Sequence, residues 1–470
     1  MFFQHIFDTS LAQASYLIGC QRTGEAIVID PKRDVDTYLD IAQQNGLRIT
    51  HITETHIHAD FLSGSRELAA ITGATLLLSD EGGPDWQYQF AHEGLRHGDM
   101  ITVGNLTLEV IHTPGHTPES ISFLLTDKPA SPEPVILFTG DSVFVGDVGR
   151  PDLLEKAAGL VGTKEGAARQ MYQSIQKFNA LPDFLQVWPG HGAGSACGKA
   201  LGTVPSTTVG YEKIRNWAFQ YDNDQAGFVQ YLLADQPEPP TYFAMMKHLN
   251  KVDRPLLTTV PKQKKLTPAE VNDALSKGIK LIDTRNKTAF AKGFVPGSLN
   301  IQGNNAFATW MGWFMTYDEP FMLVADEAQI EDLTRKLMRI GLDKVMGYMD
   351  NVSTLGIDLQ QTDIIDIKTF KTYLNHDDVQ VVDLRGAAEY NSGHVDGAEN
   401  IFIGTLPQHL DQISREKPVV IYCQGGDRAT IGYSLLVRDG FTNVKNYSAS
   451  INDWVSKGNP VVTEEFELAV

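Results

Sequence analysis

Cysteine, basic residues and long apolar runs are all scarce in this sequence. The 470 residues contain three cysteines, Cys20, Cys197 and Cys423, an odd and scattered set that argues against a disulfide framework. Lysine and arginine number 39 against 58 aspartate and glutamate residues, and the net charge of −19 disfavours nucleic acid and anionic membranes as partners. No run approaches the ~18 apolar residues that span a bilayer, and no charged-then-apolar leader opens the chain. We therefore expect a soluble protein of the cytoplasm.

Histidine and aspartate side chains follow directly after four predicted strands. Apolar alternation from Leu47 to Ile52 predicts a strand that runs into a His-x-His-x-Asp segment, in which the candidates are His56, His58 and Asp60. Three later predicted strands each end in a glycine beside one further candidate: His116, Asp141 and His191. Glycine lets backbone segments approach closely, and converging imidazole and carboxylate groups bind metal ions. The pattern predicts a metal centre built from strand ends.

The order of these candidates, His-x-His-x-Asp and then His, Asp and His, resembles the metallo-β-lactamase fold. The resemblance covers about the first half of the chain. It implies an α/β sandwich of two sheets with helices on the outside, in the layer order αββα.

Two chemistries stay open for these ligands. A dinuclear zinc hydrolase of this fold, such as a thioester hydrolase similar to glyoxalase II, generally needs a histidine after the aspartate, but Phe61 stands there. A second ion could still be held weakly by three residues: His58, Asp60 and His191. In the other interpretation, two histidines and one carboxylate form a face for a single Fe(II), which leaves positions for sulfur and dioxygen. That set is His56, His116 and Asp141.

The second half of the sequence contains one pattern twice. The segment from Ile282 to Ile301 recurs as the segment from Val382 to Ile401, 100 residues later. Strand patterns alternate with helical patterns in both copies, which predicts two doubly wound α/β domains. We expect three domains, residues 1–255 with a Pro-rich connector at the end, residues 256–360 and residues 361–470.

A thiol lies in the second copy where a reactive group is expected. A buried-type strand from Val419 to Tyr422 runs into Cys423, and a helical pattern begins a few residues later. Backbone N–H groups and the positive end of a helix stabilise a thiolate. The first copy has Ala325 at the equivalent place. That copy lacks a nucleophile, so we expect it to have a packing or interface role. An interface role implies a homo-oligomer, and we expect a dimer or a tetramer.

The cysteine loop resembles the rhodanese family. The matching motifs are an Asp-x-Arg strand end at residues 383–385, Gly-His-Val-x-Gly-Ala at residues 393–398 and the Cys-x4-Arg loop itself. Related phosphatases have a Cys-x5-Arg loop that encloses a phosphate, whereas the shorter loop suits one sulfane sulfur atom. The resemblance implies catalysis by Cys423 and Arg428, and its loop residues are Gln424, Gly425, Gly426 and Asp427.

The whole arrangement closely resembles the bacterial persulfide dioxygenase–sulfurtransferase fusion enzymes. The segments 113–120 and 140–152 look like those of persulfide dioxygenases. The resemblance implies one Fe(II) per chain, with a low-molecular-weight thiol persulfide and dioxygen as substrates, sulfite as product and thiosulfate after sulfur transfer. It favours Cys197 as a carrier of persulfide near the metal, although an incidental loop cysteine stays open. Arg150 is either a clamp for an anionic substrate group or part of an ordinary ion pair.

Overall fold

The computed structural model describes residues 1–156, 162–199, 201–234, 236–376 and 378–463. The chain forms two compact units, Met1–Pro261 with Arg335–Gly341 and Lys262–Thr334 with Leu342–Val470. Within the described ranges, no helix combines the length and apolarity needed to cross a membrane. The domain boundaries at residues 255 and 360 stay predictions, and the last seven residues of the expected third domain lie outside the described residues.

Two six-stranded sheets form the first unit over its described residues. In the first sheet the strands stand in chain order, antiparallel up to the third strand and parallel beyond it. These strands are β1 Phe2–Asp8, β2 Gln13–Cys20, β3 Glu25–Ile29, β4 Arg48–Thr53, β5 Thr75–Ser79 and β6 Glu93–Leu95. The second sheet has the order β12-β11-β10-β9-β8-β7, in which only β10 and β11 are parallel. Its strands are β7 Met100–Val103, β8 Leu106–His112, β9 Ile121–Asp127, β10 Ile136–Gly140, β11 Gln186–Pro189 and β12 Thr207–Thr208.

The two sheets pack face to face around one apolar core. Tyr16 and Ile27 of the first sheet belong to the same buried cluster as Leu108 and Phe123 of the second. The helices are α1 Asp36–Gln44, α2 Ser65–Thr72, α3 Leu153–Lys156, α4 Lys164–Asn179, α5 Val209–Arg215, α6 Gln225–Leu233 and α7 Phe243–Lys251. Helices α1 and α2 cover the outer face of the first sheet, and α4 to α6 cover the second. The predicted αββα sandwich is confirmed.

The second unit contains two small parallel sheets of four strands each over its described residues. The first copy has the strand order β14-β13-β15-β16 and the second copy β18-β17-β19-β20. The elements of the first copy are α8 Pro268–Ser276, β13 Lys280–Asp283, α9 Lys287–Lys292, β14 Leu299–Asn300, α10 Phe307–Phe314, β15 Phe321–Val324, α11 Ile330–Arg339 and β16 Val345–Met349. Those of the second are α12 Ile367–Leu374, β17 Gln380–Asp383, α13 Ala387–Ser392, β18 Glu399–Asn400, β19 Val419–Tyr422, α14 Asp427–Arg438, β20 Val444–Asn446 and α15 Ser450–Ser456.

The two copies of the repeat share individual side-chain hydrogen bonds as well as their strand order. In the first copy, the amide of Asn300 donates to the carbonyl oxygens of Asp283 and Arg285, at 2.9 Å each. In the second copy, Asn400 makes the same pair of hydrogen bonds 100 residues later, at 3.1 and 2.8 Å. The predicted pair of α/β domains is confirmed, because both topology and local contacts repeat.

Candidate functional site

Three predicted ligands from separate strand ends meet inside the first unit. A ring nitrogen of His56, a ring nitrogen of His116 and a carboxylate oxygen of Asp141 lie within 4.8 Å of one another, and all three residues are buried. The Nε2 atoms of His56 and His116 are 3.8 and 3.5 Å from Asp141 Oδ2. Gly190 permits this approach, because a Cβ atom there would lie 2.7 Å from Asp141 Oδ1.

The unpaired atoms of this cluster fit a bound cation. Neither His56 Nε2 nor Asp141 Oδ2 has a hydrogen-bond partner among the described residues, and both are buried. Such atoms cost ~1–3 kcal/mol each when nothing satisfies them. The other ring nitrogen of each histidine is hydrogen-bonded: His56 Nδ1 to Thr55 Oγ1 at 3.0 Å, and His116 Nδ1 to the carbonyl oxygen of Arg150 at 3.1 Å. Metal-binding histidines are commonly oriented in this way.

Burial also gives the two histidines the protonation state that a metal ligand needs. It lowers the pKa of His116 to about 4 and the pKa of His56 well below its ordinary value. Both rings are therefore neutral near pH 7 and can donate a lone pair. Burial alone would raise the pKa of Asp141, but the neighbouring His191 brings that pKa well below its usual range. Asp141 is an anion, so the cluster offers two neutral nitrogens and one negative oxygen.

His191 bridges two carboxylates. Its Nδ1 is 2.7 Å from Asp141 Oδ1 and its Nε2 is 2.7 Å from Asp60 Oδ2. Burial opposes a charge on the ring, but Asp141 and Asp60 together raise the pKa of His191 well above its ordinary value. With an acceptor at both nitrogens, the ring donates twice and orients Asp141.

The proposed second-metal residues are only partly brought together. A second group of possible ligand atoms comprises Asp60, His191 and Cys197, within 4.8 Å of one another. His58 does not belong to this group; its Nε2 lies 3.0 Å from Asp30 Oδ1, and its buried Nδ1 has no hydrogen-bond partner among the described residues. Cys197 belongs to this group in place of the predicted His58.

Asp30 is a supporting residue that sequence reasoning missed. This buried residue has a left-handed backbone, with φ of 51°. Its carboxylate accepts hydrogen bonds from Thr55 N at 2.7 Å and from Thr55 Oγ1 at 2.9 Å. Since Thr55 Oγ1 also holds the His56 ring, Asp30 acts on the ligand through one intermediate residue.

Helix α7, which lies in the predicted connector, is hydrogen-bonded to the ligand loop, defined as residues 54–64 between β4 and α2. The Asn250 amide donates to the carbonyl oxygens of His58 and Phe61, at 2.9 and 2.8 Å, and its oxygen accepts from Ser63 N at 2.9 Å. The Tyr242 hydroxyl donates to the carbonyl oxygen of Asp60 at 2.9 Å. One amide thus satisfies three buried backbone groups, which fixes the loop that carries His56 and Asp60.

We expect Asn250→Ala to weaken metal binding without removing a ligand. Loss of an outer partner of a metal ligand typically costs ~10–100-fold in affinity, and the variant frees three backbone groups of the loop. Titration of metal into the apoprotein with a competing chelator measures the change. Asn45→Ala is the control, since Asn45 ends α1 and bonds within that helix; an equal loss in both variants would contradict the role of Asn250.

Cys197 and Arg150 lie on two neighbouring loops, joined by a hydrogen bond from Arg150 N to the carbonyl oxygen of Cys197 at 3.2 Å. Arg150 is wholly buried, and its guanidinium donates to both oxygens of Asp152, at 2.8 and 2.6 Å, and to the carbonyl oxygens of Ala196 and Pro237. These bonds give Arg150 the structural ion-pair role, and its function as a substrate clamp stays a prediction. Burial, reinforced by Asp141, raises the pKa of the Cys197 thiol well above its ordinary value, so the protein favours the neutral thiol there.

The predicted thiol of the second unit, Cys423, is surrounded by hydrogen-bonding groups. Cys423 follows β19, and its Sγ accepts a hydrogen bond from Gly426 N at 3.1 Å. The Ser450 hydroxyl lies 3.8 Å from the same sulfur and accepts from Cys423 N at 3.1 Å. Gly426 has φ of 99°, and a Cβ there would lie 2.0 Å from the carbonyl oxygen of Ser448. Only glycine fits the turn that directs this N–H to the sulfur.

Arg428 has a partner that no sequence motif indicates. Its guanidinium pairs with both carboxylate oxygens of Glu389, at 2.5 and 2.7 Å. Burial opposes the charge, but this carboxylate raises the pKa of Arg428 above its ordinary value. Glu389 therefore fixes the arginine that follows the loop. At the other end of the loop, Arg385 donates to Gln424 Oε1 at 3.3 Å.

A cavity of about 460 Å³ opens at this thiol, and both copies of the repeat form its wall. Cys423, Arg428 and Ile431 come from the second copy, and Lys287 and Trp310 come from the copy with Ala325 in place of the cysteine. The remaining lining residues are Gln302, Asn304, Ala306, Gln424, Gly425 and Asp427. Lys287 Nζ donates to the carbonyl oxygen of Gly425 and lies 3.0 Å from Asp427 Oδ1. The cysteine-less copy thus contributes a cation to the thiol cavity.

Comparison with known proteins identifies both units. The metallo-beta-lactamase superfamily model matches residues 8–191, and the rhodanese-like domain model matches residues 267–355 and 366–457. The crystal structure of a metallo-beta-lactamase from Staphylococcus aureus subsp. aureus COL is 45% identical, with a TM-score of 0.70, and covers 74% of this chain and 99% of that chain. The chain is a metallo-β-lactamase–rhodanese fusion.

Curated relatives of the fusion carry two different activities in their names. A hydroxyacylglutathione hydrolase of Rhodospirillum rubrum is 33% identical over 176 residues, which are 37% of the fusion and 60% of the relative. The mitochondrial persulfide dioxygenase ETHE1 of Bos taurus is 29% identical over 197 residues, which are 40% of the fusion and 67% of the relative. Both relatives are enzymes. Family membership leaves the choice between hydrolysis and oxidation to the chemistry of the site.

Proposed function

We propose that the fusion oxidises low-molecular-weight persulfides to sulfite at one Fe(II) ion and converts sulfite to thiosulfate at Cys423. The observation that carries the proposal is a cluster of two histidines and one carboxylate on the same chain as a cysteine loop of rhodanese type. The first is a ligand set for non-haem Fe(II) enzymes, and the second handles sulfane sulfur. One substrate class serves both sites.

The contacts around the cluster favour a single ion over a zinc pair. Phe61 offers no ligand atom, His58 is bonded to Asp30, and both nitrogens of His191 are bonded to carboxylates. A second ion at His191 would have to displace one of these carboxylates, whereas His58 Nδ1 and Asp60 Oδ1 have no hydrogen-bond partner among the described residues and stay available as ligands. The alternative, a zinc-dependent thioester hydrolase, is supported by the hydroxyacylglutathione hydrolase relative and by the second group of possible ligands.

In the proposed oxidation, the persulfide, dioxygen and water give thiol, sulfite and two protons. His56, His116 and Asp141 would hold the ion, and bound Fe(II) supplies the electron transfer to dioxygen. The chain contributes neutral imidazoles, a carboxylate kept anionic by His191, and burial that keeps bulk water from the reacting groups.

In the proposed transfer, Cys423 carries the sulfane sulfur. Its thiolate attacks the outer sulfur of a persulfide, whose S–S bond breaks as a new S–S bond forms and the donor leaves as a thiolate. Sulfite then attacks that outer sulfur, the bond to Cys423 breaks, and thiosulfate leaves with the thiolate restored. The Gly426 N–H stabilises the anionic sulfur.

Product analysis tests the proposal. The purified full-length protein is given glutathione persulfide in one assay and a glutathione thioester in another, with an oxygen electrode in both. The proposal expects one dioxygen consumed per sulfur oxidised, with sulfite and thiosulfate as products. Thioester cleavage without oxygen uptake would support the hydrolase instead.

We expect Lys287→Gln to raise the KM for sulfite about tenfold, because an ionic hydrogen bond contributes about 1.5–3 kcal/mol. The ammonium of Lys287 lies in the thiol cavity, where it attracts an oxyanion, so kcat should change little. Anaerobic sulfurtransferase assays with glutathione persulfide as donor and sulfite as acceptor measure this KM, because without dioxygen the proposed oxidation makes no sulfite. Lys292→Gln removes the same charge from an exposed position of α9 and should leave KM unchanged; equal effects of both variants would contradict a local role.

A further inference from the structure

Lys247, in α7, has a buried ammonium group with no hydrogen-bond partner among the described residues. Its side chain belongs to a residue only 7% exposed. The group lies over the ring of Trp86, 4.3 Å from the ring centroid. A cation–π contact of this kind offsets only part of the cost of removing an ammonium from water.

The helix places Lys247 towards the metal cluster. Asn250, three residues later and therefore on the same helix face, bonds the carbonyl oxygens of His58 and Phe61. Trp86, over whose ring the ammonium lies, packs in the same buried apolar cluster as Ile57, the residue that follows His56. The ammonium therefore lies beside the loop that carries His56 and Asp60.

Glu119 adds a second unpaired group to the same surroundings. Its Oε1 accepts from Ile57 N at 2.8 Å, in the ligand loop. Its Oε2 is buried and has no partner within the described part of the chain. Burial raises the pKa of Glu119, so this carboxyl is a weak counter-charge for Lys247, and no ion pair joins the two side chains over the described residues.

We infer that Lys247 binds a small anion beside the metal cluster, the carboxylate of the thiol that carries the substrate sulfur. The sulfite oxyanion has the same chemistry and is the second source considered. This inference rests on the proposed function, since it names the substrate class for that site. A carboxylate would supply the ionic hydrogen bonds that the ammonium lacks and would position the sulfur end of the molecule.

Cysteine and cysteamine are the decisive probes, because they differ only by the carboxylate. Anaerobic calorimetry on the full-length metal-loaded protein measures the Kd of each, and of sulfite. We expect cysteine to bind about tenfold more tightly than cysteamine, the effect of one ionic hydrogen bond. In Lys247→Met this ratio should fall to about one if the carboxylate is the ligand. If the anion is sulfite, the sulfite affinity should fall instead.

Thermal stability gives a second readout that a purely structural lysine would not produce. Removal of an unpaired buried charge should raise the Tm of the ligand-free Lys247→Met protein by about 2–4 °C. Lys251→Met is the control on the same helix, because Lys251 Nζ donates to the carbonyl oxygen of Asp85 at 3.1 Å. It should neither raise the Tm nor change the affinity ratio.

The inference is overturned if Lys247→Met binds all three probes as the wild type does, or if it unfolds at a lower temperature with unchanged affinities. Lys247→Arg keeps the positive charge and should retain most of the preference for cysteine, which guards against a variant that simply misfolds. These affinities are measured without turnover. Absence of oxygen uptake in the wild type would therefore contradict the proposed function while leaving the anion site standing.

Discussion

Replacement of Cys423 by serine is expected to stop thiosulfate formation while oxygen uptake continues. Loss of a covalent nucleophile lowers a rate by a factor on the order of 10³ or more, and a serine hydroxyl at this position cannot carry a sulfane sulfur. Sulfite should accumulate in place of thiosulfate. Ion chromatography of both anions, run beside an oxygen electrode, gives the two rates in one experiment.

Cys20→Ser provides the matched control for this variant. Cys20 is buried in the first unit and accepts a hydrogen bond from Asn105 N at 3.3 Å, so the substitution makes the same chemical change away from the loop. It should leave the ratio of thiosulfate to sulfite unaltered. Thiosulfate formation at the wild-type rate in Cys423→Ser would remove the loop from the mechanism.

Replacement of His116 by glutamine is expected to abolish oxygen uptake through loss of the metal. The removal of an outer partner costs about 10–100-fold in metal affinity, so the loss of a direct ligand should exceed that range. His112→Gln is the comparison, four residues earlier, because the His112 Nε2 contacts the carbonyl oxygen of Pro118. In His116→Gln, the metal content measured by mass spectrometry and the oxygen uptake should fall together. In His112→Gln, neither should fall.

The opposite result would be informative. Full metal content in His116→Gln, with normal turnover, would show that the converging Nε2 atom is not a ligand. Retained sulfurtransferase activity with thiosulfate as donor shows that the variant is folded in its second unit.

The strand ends and the cysteine loop were predictable because their signals are local. A short apolar strand followed by glycine and histidine or aspartate can be read within ten residues, and so can a strand, a Cys-x4-Arg loop and a helix. The 100-residue repeat also needs only the sequence to be compared with itself. The ligand assignment for His56, His116 and Asp141 stays a prediction, but the structure places their atoms together.

The supporting contacts were not predictable, because folding joins residues that are far apart in sequence. Asn250 reaches carbonyl groups of the ligand loop 189 and 192 positions away, and Lys287 reaches the cysteine loop across 138 positions. Neither residue lies in a motif. Glu389 was not predicted for a different reason. A glutamate in a short helix is usually a solvent-exposed surface residue, and nothing in the sequence distinguishes Glu389 from one.

Metal analysis of protein purified without oxygen tests the central claim most directly. The account predicts one iron ion per chain and oxygen uptake when a persulfide is added. Removal of the iron with a chelator should abolish the oxygen uptake, and addition of Fe(II), but not Zn(II), should restore it. Two zinc ions per chain, with recovery on addition of Zn(II) and no oxygen uptake, would contradict it.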